Sequence, residues 1–431
     1  MTPMEVGFAG MGLALLLLAL RVPIAFSLLI AGFAGFAYIR GLDPAFGLIG
    51  VLPNDIWSSY DFTVAPLFIL MGNLCFHSHI STQLYAAVNS WVGHIRGGLA
   101  MASVVACACF GAITGSSMAC AVTIGSVALP EMKKYRYDDS MATGCVAVAG
   151  TLGSMIPPSM GMIIYAIVTE NSIGKLFIAG VFPGLTAVVF YIVTIYIICK
   201  INPSLGPAGP RTTLPEKVRS LKGIWPVLLL FFVVMGSIYF GICSANEGAG
   251  IGAFGALIFA ITRRISFKDF MASLSDTARV GAMVMTIVLG AMTLNSFMAL
   301  SRLPSEFGEL VASMPVNRYV ILAAILFTYL VLGCFMDAIS AILLTLPIFY
   351  PLVMKLGFDP IYFGILVTRM GEIGCITPPV GINVFAIQGV SKVPMYTIFR
   401  GVIPFFIADV LNTILLVAVP QISLFLPNLM K

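Results

Sequence analysis

Apolar residues run along this chain in long stretches that neither alternate with polar ones nor keep to a single helical face. They cover approximately residues 4–20, 22–39, 62–94, 141–169 and 175–200, then 224–243, 247–263, 276–312, 360–390 and 395–428. About 20 helical residues cross the hydrocarbon core of a bilayer. Strands that alternate lipid-facing and lumen-facing residues are absent, so the pattern predicts membrane helices rather than a barrel. Two further apolar runs, 97–133 and 318–355, are each long enough for two short helices and break in the middle at GAITGSS (111–117) and GCFMDAIS (333–340). Both read as re-entrant hairpins whose tips reach mid-membrane, because a single span would have to continue through Pro130 and Pro351.

Sliding the chain on itself by 221 residues brings Pro130 onto Pro351, Asp138 onto Asp359, Gly150 onto Gly371 and Gly153 onto Gly374. The same shift puts Pro157-Pro158 on Pro378-Pro379, Gly180 on Gly401 and Pro183 on Pro404. A shared apolar bias matches Leu to Ile but not this many Pro and Gly at one offset, so the two halves have the same architecture. The matched stretches GTLGSMIPPSMG (150–161) and GEIGCITPPVGIN (371–383) sit midway along apolar runs of about 30 residues, 141–169 and 360–390. A Pro-Pro pair removes two backbone donors and turns the residue before it out of the α region, so each helix must break there. Irregular backbone at membrane depth is tolerated where it lines a cavity or is buried in protein, and two such breaks at corresponding positions point to a transporter's binding site.

If the hairpins return to the side they left, about five spans remain per half. That number is odd, so the halves are inverted in the membrane. Sixteen Lys and Arg residues then collect on one face and six on the other, with Arg369 between them. The positive-inside rule makes the first face cytoplasmic and places both termini outside. The predicted fold is an all-α polytopic membrane protein: residues 1–200 form the first inverted repeat, 201–222 a cytoplasmic linker rich in Pro, Lys and Arg, and 223–431 the second repeat. Within the repeats lie hairpins 97–133 and 318–355 and broken helices 141–169 and 360–390.

Composition agrees and excludes other classes. Of 431 residues, 59% are hydrophobic and 10% charged, where soluble domains carry roughly 25% charged residues. The mean hydropathy is +1.03. A net charge of +5 arises from loops rather than a basic face, so no nucleic acid is expected as a partner; the lipid bilayer is. The 42 Gly and 25 Pro imply closely packed and interrupted helices. The nine Cys lack CxxC pairs and read as small packing residues. The first apolar run has no small-residue cleavage site and reads as a retained span.

Charges at membrane depth are few: Asp337, Arg369, Glu372 and Asp409. Arg369 and Glu372, three apart on one helical face, can pair with each other, or Arg369 can offer its guanidinium to a substrate carboxylate. Asp337 either joins a cation site or stays protonated, and Asp409 pairs locally. Their repeat counterparts include Ser116 for Asp337 and Thr151 for Glu372, both uncharged. His77, His79 and His94 fall at the ends of the 62–94 run with no acid or thiol cluster to make them a metal or catalytic site. No nucleophilic triad or phosphate loop is present, so the chain is expected to be neither an enzyme nor an ATPase, and to use no cofactor.

The GAITGSS and MDAIS tips, together with SMIPPS and ITPPVGIN, resemble the large membrane subunit (DctM-like) of tripartite ATP-independent periplasmic, or TRAP, transporters. The resemblance covers essentially the whole chain. It implies a sodium-driven elevator in the bacterial inner membrane that imports organic acids: C4-dicarboxylates, sialic acids or keto acids. It also implies two partners, a small four-helix membrane subunit on a separate chain and a periplasmic substrate-binding protein. In that family sodium sites lie where each hairpin tip meets the broken helix of its own repeat. Carried over, the first would comprise Ser116, Ser117, Gly153, Ser154 and Pro157, and the second Asp337, Ser340, Gly374, Thr377 and Pro378. The substrate would meet Arg369, Ser159, Gly381 and Asn383. Carbonyls freed at a helix break, with Ser and Thr hydroxyls, form the oxygen ligand set a hard cation prefers, and half-helix N-termini face anions. A stand-alone sodium- or proton-coupled anion symporter is the alternative within the superfamily. An intramembrane enzyme is the alternative from another class, and it lacks a visible acid–base or metal constellation.

Overall fold

A computed structural model describes residues 2–78 and 80–430, and among these the regular structure is entirely helical. The chain opens with α1 (Pro3–Ala19), α2 (Ile24–Arg40) and α3 (Leu42–Ser58). A 3-10 turn at Tyr60–Thr63 then leads to α4 (Val64–His77) and α5 (Ile80–Val92). The first hairpin is α6 (Gly98–Thr114) with α7 (Ser117–Lys134), and the first broken helix is α8 (Asp139–Gly150), α9 (Leu152–Met155) and α10 (Met160–Val168). Helix α11 (Ile173–Ile201) precedes the linker, which contains α12 (Leu214–Leu221). The second half runs α13 (Trp225–Tyr239), α14 (Ala245–Thr262), α15 (Phe267–Ser301) and α16 (Leu303–Ala312). It continues with the hairpin α17 (Arg318–Gly333) and α18 (Ala338–Lys355), the broken helix α19 (Pro360–Gly374) and α20 (Ile382–Ser391), and ends in α21 (Met395–Ala418) and α22 (Gln421–Leu429).

Local chemistry starts these elements at the repeat offset. Asp138 Oδ1 accepts the amides of Ser140 and Met141 at 2.9 and 3.2 Å, and its counterpart Asp359 Oδ1 accepts those of Ile361 and Tyr362 at 2.8 and 3.0 Å. Each aspartate thereby satisfies two of the amides a helix start leaves open. At the tips Ser116 Oγ caps α7 through Ala119 N and Asp337 Oδ2 caps α18 through Ser340 N. The Pro157-Pro158 and Pro378-Pro379 bonds are both cis.

Several boundaries differ from the sequence expectation. Six helical segments among the described residues are long and apolar enough to cross a membrane, or seven if the α3–α4 pair, bent by 60°, counts as one. Helices α1 and α2, at 17 residues each, and α13, at 15, are shorter than that. Helices α7 and α18 continue through Pro130 and Pro351 and end four residues later, so the prolines do not stop a helix as expected from the sequence. A proline near a helix end costs one ladder bond, which the last turn gives up readily. The 62–94 run divides into α4 and α5, and His77 therefore lies inside it, 3.4 Å from Asp276 on α15. His79 lies outside the described residues. The 276–312 run begins earlier, at Phe267 behind the Ser266 cap, and is interrupted where Arg302 adopts φ 54°. The last run stops at Ala418 and restarts after Pro420. Residues 42–58, which fall between the apolar runs 22–39 and 62–94, form a full helix.

The 201–222 linker does not bridge freely. Gly97 N donates to Gly206 O and Gly209 N to Gly93 O, both at 2.8 Å, and Asp138 N donates to Leu205 O at 3.2 Å. Thr212 Oγ1 donates to the Ser90 carbonyl, and the Ser90 and Ser220 hydroxyls pair at 2.9 Å. The segment straps the α5–α6 and α7–α8 turns. Its glycines are needed for the approach, since a Cβ on Gly206 would meet Cys199 Sγ at 2.7 Å.

Helices α8 and α21 cross at Gly144 and Gly401, where a Cβ on Gly401 would overlap the Ser140 carbonyl oxygen. Backbone cannot yield as a flexible side chain can. Gly401→Val is expected to cost about 1–3 kcal/mol or more, read as a lowered thermal midpoint of the purified protein. Gly236→Ala, with nothing within 4 Å of its Cβ, should leave the midpoint unchanged or slightly raised. Equal effects at the two positions would show that the crossing is not close-packed.

Candidate functional site

In each half the hairpin tip rests on the stub of the broken helix through glycines. A Cβ on Gly150 would stand 2.9 Å from the Ser117 carbonyl oxygen, and one on its counterpart Gly371 2.8 Å from Ala338 Cβ. One turn on, a Cβ on Gly153 would meet the Ser116 carbonyl oxygen at 2.8 Å, and one on Gly374 the Gly333 Cα at 2.5 Å. Real side chains do not pack this closely. The missing Cβ atoms are what let the backbone of 116–117 and of 333–338 lie against the breaks.

At the first junction Ser117 N donates to Ser154 Oγ at 3.1 Å, tying tip to stub. Ser116 Oγ accepts Ala119 N at 3.4 Å. No backbone amide among the described residues donates to the carbonyls of Pro157 or Pro378. The first break is closed over: Pro157 and Pro158 are buried, and Met160 N reaches the Gly115 carbonyl of the tip at 3.4 Å. Gly115 makes that turn at φ 63°. Ser159, fully buried, caps α10 through Met162 N.

The second junction carries an aspartate. Asp337 Oδ1 accepts the Ser340 hydroxyl at 2.5 Å while Oδ2 accepts its amide at 3.1 Å. Thr377 Oγ1 donates to Ile373 O at 2.7 Å, which leaves its oxygen able to accept or ligate. This break bridges on itself, Asn383 N donating to Cys375 O at 3.0 Å, with Gly381 at φ 58°. Pro378, Pro379 and Val380 are exposed, and a cavity of about 640 Å³ reaches Thr377 and Pro378, with Tyr396, Phe399 and Arg400 on its other side. A cavity of similar size, about 670 Å³, lies between Tyr60–Phe62, Glu170–Gly174 and Ser244–Asn246 and touches neither break.

The hydroxyls, the bare proline carbonyls and the Asp337 carboxylate at these junctions are oxygen donors of the kind that suit a hard monovalent cation. Clusters of three His, Cys, Asp or Glu, which would suit a transition metal, are absent among the described residues.

Arg369 and Glu372 do not pair. Arg369 is fully buried and donates through Nη2 to Asp409 Oδ1 on α21, with Tyr191 OH of α11 at 3.3 Å and Thr151 Oγ1 beyond it at 3.2 Å. Asp409 therefore pairs across the fold, 40 residues away, rather than locally. The i,i+3 spacing allowed the other pairing, but α19 turns Arg369 toward α21 and α11 and Glu372 toward α9. Glu372, 3% exposed, faces the Ser154 and Ser117 hydroxyls, with no hydrogen-bond partner at its Oε2. Asn383 is 1% exposed, and neither its Oδ1 nor its Nδ2 has a partner. Sequence reasoning missed the Asp409–Tyr191–Thr151 set. The signal present was only that one cation and three acids share membrane depth, which does not choose among partners.

Residues 11–422 match the family described as the DctM component of the tripartite ATP-independent periplasmic transporter. The chain is 36% identical to the C4-dicarboxylate TRAP transporter large permease protein DctM of Pseudomonas aeruginosa over 86% of each chain. It is 31% identical to the ectoine TRAP transporter large permease protein TeaC of Halomonas elongata over 97% of each. Among solved structures it resembles the YdaH transporter of Alcanivorax borkumensis, with a TM-score of 0.64, 12% identity and 90% of each chain covered, a likeness of fold.

Proposed function

The chain belongs to the DctM-component family of tripartite ATP-independent periplasmic transporters, and from that premise we propose that it is the transport subunit of a sodium-coupled importer of a small organic acid. The observation that supports this reading best is the matched pair of junctions, where each hairpin tip is held on a broken helix by glycines and offers oxygen donors. Sodium binds at the first through Ser116, Ser117, Gly153, Ser154 and Pro157, and at the second through Asp337, Ser340, Gly374, Thr377 and Pro378. The organic acid lies between the breaks, against Ser159, Gly381 and the unpartnered Asn383 amide. Arg369 joins it only if its bond to Asp409 opens. A C4-dicarboxylate is the favoured class, after the Pseudomonas relative.

Energetically the coupling suffices. A tenfold sodium gradient with 100 mV supplies about 1.4 and 2.3 kcal/mol per ion. Two ions give about 7 kcal/mol, and a dianion entering against the potential takes back about 4.6. The remaining 3 kcal/mol or so permits roughly 100-fold accumulation. In this proposal an elevator movement carries the junctions across the inner membrane, a small four-helix subunit braces the chain, and a periplasmic binding protein delivers substrate.

The test is uptake into proteoliposomes holding this chain with its small subunit, with binding protein and labelled C4-dicarboxylate outside. Accumulation above equilibrium that needs both an inward sodium gradient and the binding protein is expected. Sodium-dependent uptake without binding protein would identify a stand-alone symporter instead, and uptake indifferent to sodium would overturn the coupling. Reporter fusions at both ends should register the periplasmic side.

A further inference from the structure

The two repeats place their charges unequally. Asp337 caps the second tip, but the corresponding residue of the first is Ser116, which brings no charge. The first junction is nevertheless approached by a carboxylate from the other half. Glu372 on α19 packs toward α9, faces the hydroxyls of Ser154 and Ser117, is 3% exposed, and leaves Oε2 without a hydrogen-bond partner. The one nearby cation does not bond it: Arg369 bonds Asp409 instead. A carboxylate out of water with only hydroxyls beside it and no cation bonded to it is costly, and ionised ones in protein interiors are paired or coordinate metal ions.

We propose that Glu372 is the anionic ligand of the first cation site, contributed across the repeat boundary, so that each site holds one carboxylate and two bound monovalent cations leave the pair neutral. This rests on the sodium reading above. The count is short: Arg369 and Asp409 cancel, which leaves Glu372 for the first site and Asp337 for the second. It accounts for Glu372 facing Ser154 and Ser117, and for its repeat counterpart, Thr151, needing no charge: Thr151 bonds Tyr191 instead.

The experiment follows thermal unfolding of the purified chain with its small subunit while sodium replaces potassium at constant ionic strength. A ligand bound only to the folded state stabilises it in proportion to ln(1 + [L]/Kd). The unaltered protein is expected to rise with sodium along a two-ion dependence. Glu372→Gln should shift the sodium midpoint at least tenfold upward and reduce the dependence to one ion. In potassium its unfolding temperature should equal or exceed that of the unaltered protein, because an uncompensated buried charge is gone. A purely structural role for Glu372 predicts the opposite in potassium, a lower temperature, and would overturn the proposal. So would an unchanged sodium dependence in the variant. Glu372→Asp, which keeps the charge and shortens the reach, should retain two ions with a weaker midpoint, and it decides the question if the Gln variant does not fold. Absence of any sodium response in the unaltered protein would instead remove the sodium reading itself.

Discussion

Asp409→Ala is expected to cost about 3–5 kcal/mol of stability, because it strands the Arg369 guanidinium in a site with no exposure. Two donors of Arg369, Nε and Nη1, already lack partners, and Nη2 would keep only the neutral Tyr191 hydroxyl. The measurable outcome is a strongly lowered thermal midpoint or loss of the folded chain from the membrane. Arg369→Ala should be comparably severe, since it strands Asp409. The pair Arg369→Met with Asp409→Leu should recover most of the loss, because apolar residues of similar volume can replace a buried ion pair at little cost. Transport by that double variant would show that the pair holds α19 against α21 and does not contact substrate. A stable double variant that no longer transports would return Arg369 to the substrate.

Gly153→Ala and Gly374→Ala carry the second large effect. At Gly153 the added methyl would stand 2.8 Å from the Ser116 carbonyl oxygen and 3.0 Å from Cys120 Cβ, and at Gly374 2.5 Å from Gly333 Cα. Backbone must move in both cases, and the part that moves is the tip proposed to bind the ion. Overpacking of this kind costs about 1–3 kcal/mol. If the cost falls on the ion-binding geometry, sodium affinity drops by a factor of roughly 5 to 150. Gly389→Ala on α20, with nothing within 4 Å, is the control. Sodium-dependent stabilisation equal in all three variants would separate the junctions from ion binding.

Much of this architecture was legible from local signals. The hairpin limits 318–355 coincide with the start of α17 and the end of α18, and the breaks fall at the two Pro-Pro pairs. Those signals act within a turn or two of the chain: a capping carboxylate, a proline without an amide, a glycine repeated at one offset. Interruptions without such a marker were harder to read. Arg302 at positive φ ends α15 with no Gly or Asn to announce it, and the α4–α5 break follows His77 and Ser78 with no proline.

Contacts between distant segments were decided only by packing. Arg369 lies three residues from Glu372 and 40 from Asp409, yet it bonds Asp409, because the rotation of α19 sends the two side chains to different neighbours. The strapping of the linker onto Gly93 and Gly97, and the difference between a buried first break and an exposed second one, likewise depend on where whole helices come to rest. The amino-acid sequence by itself determined that this is a helical membrane protein with two matched breaks and two matched tips, since composition, proline chemistry and the 221-residue offset are properties of the chain. The tertiary structure alone decided which buried charges cancel and which carboxylate is left facing the first tip, because the partner of a charge is set by distances that no local pattern encodes.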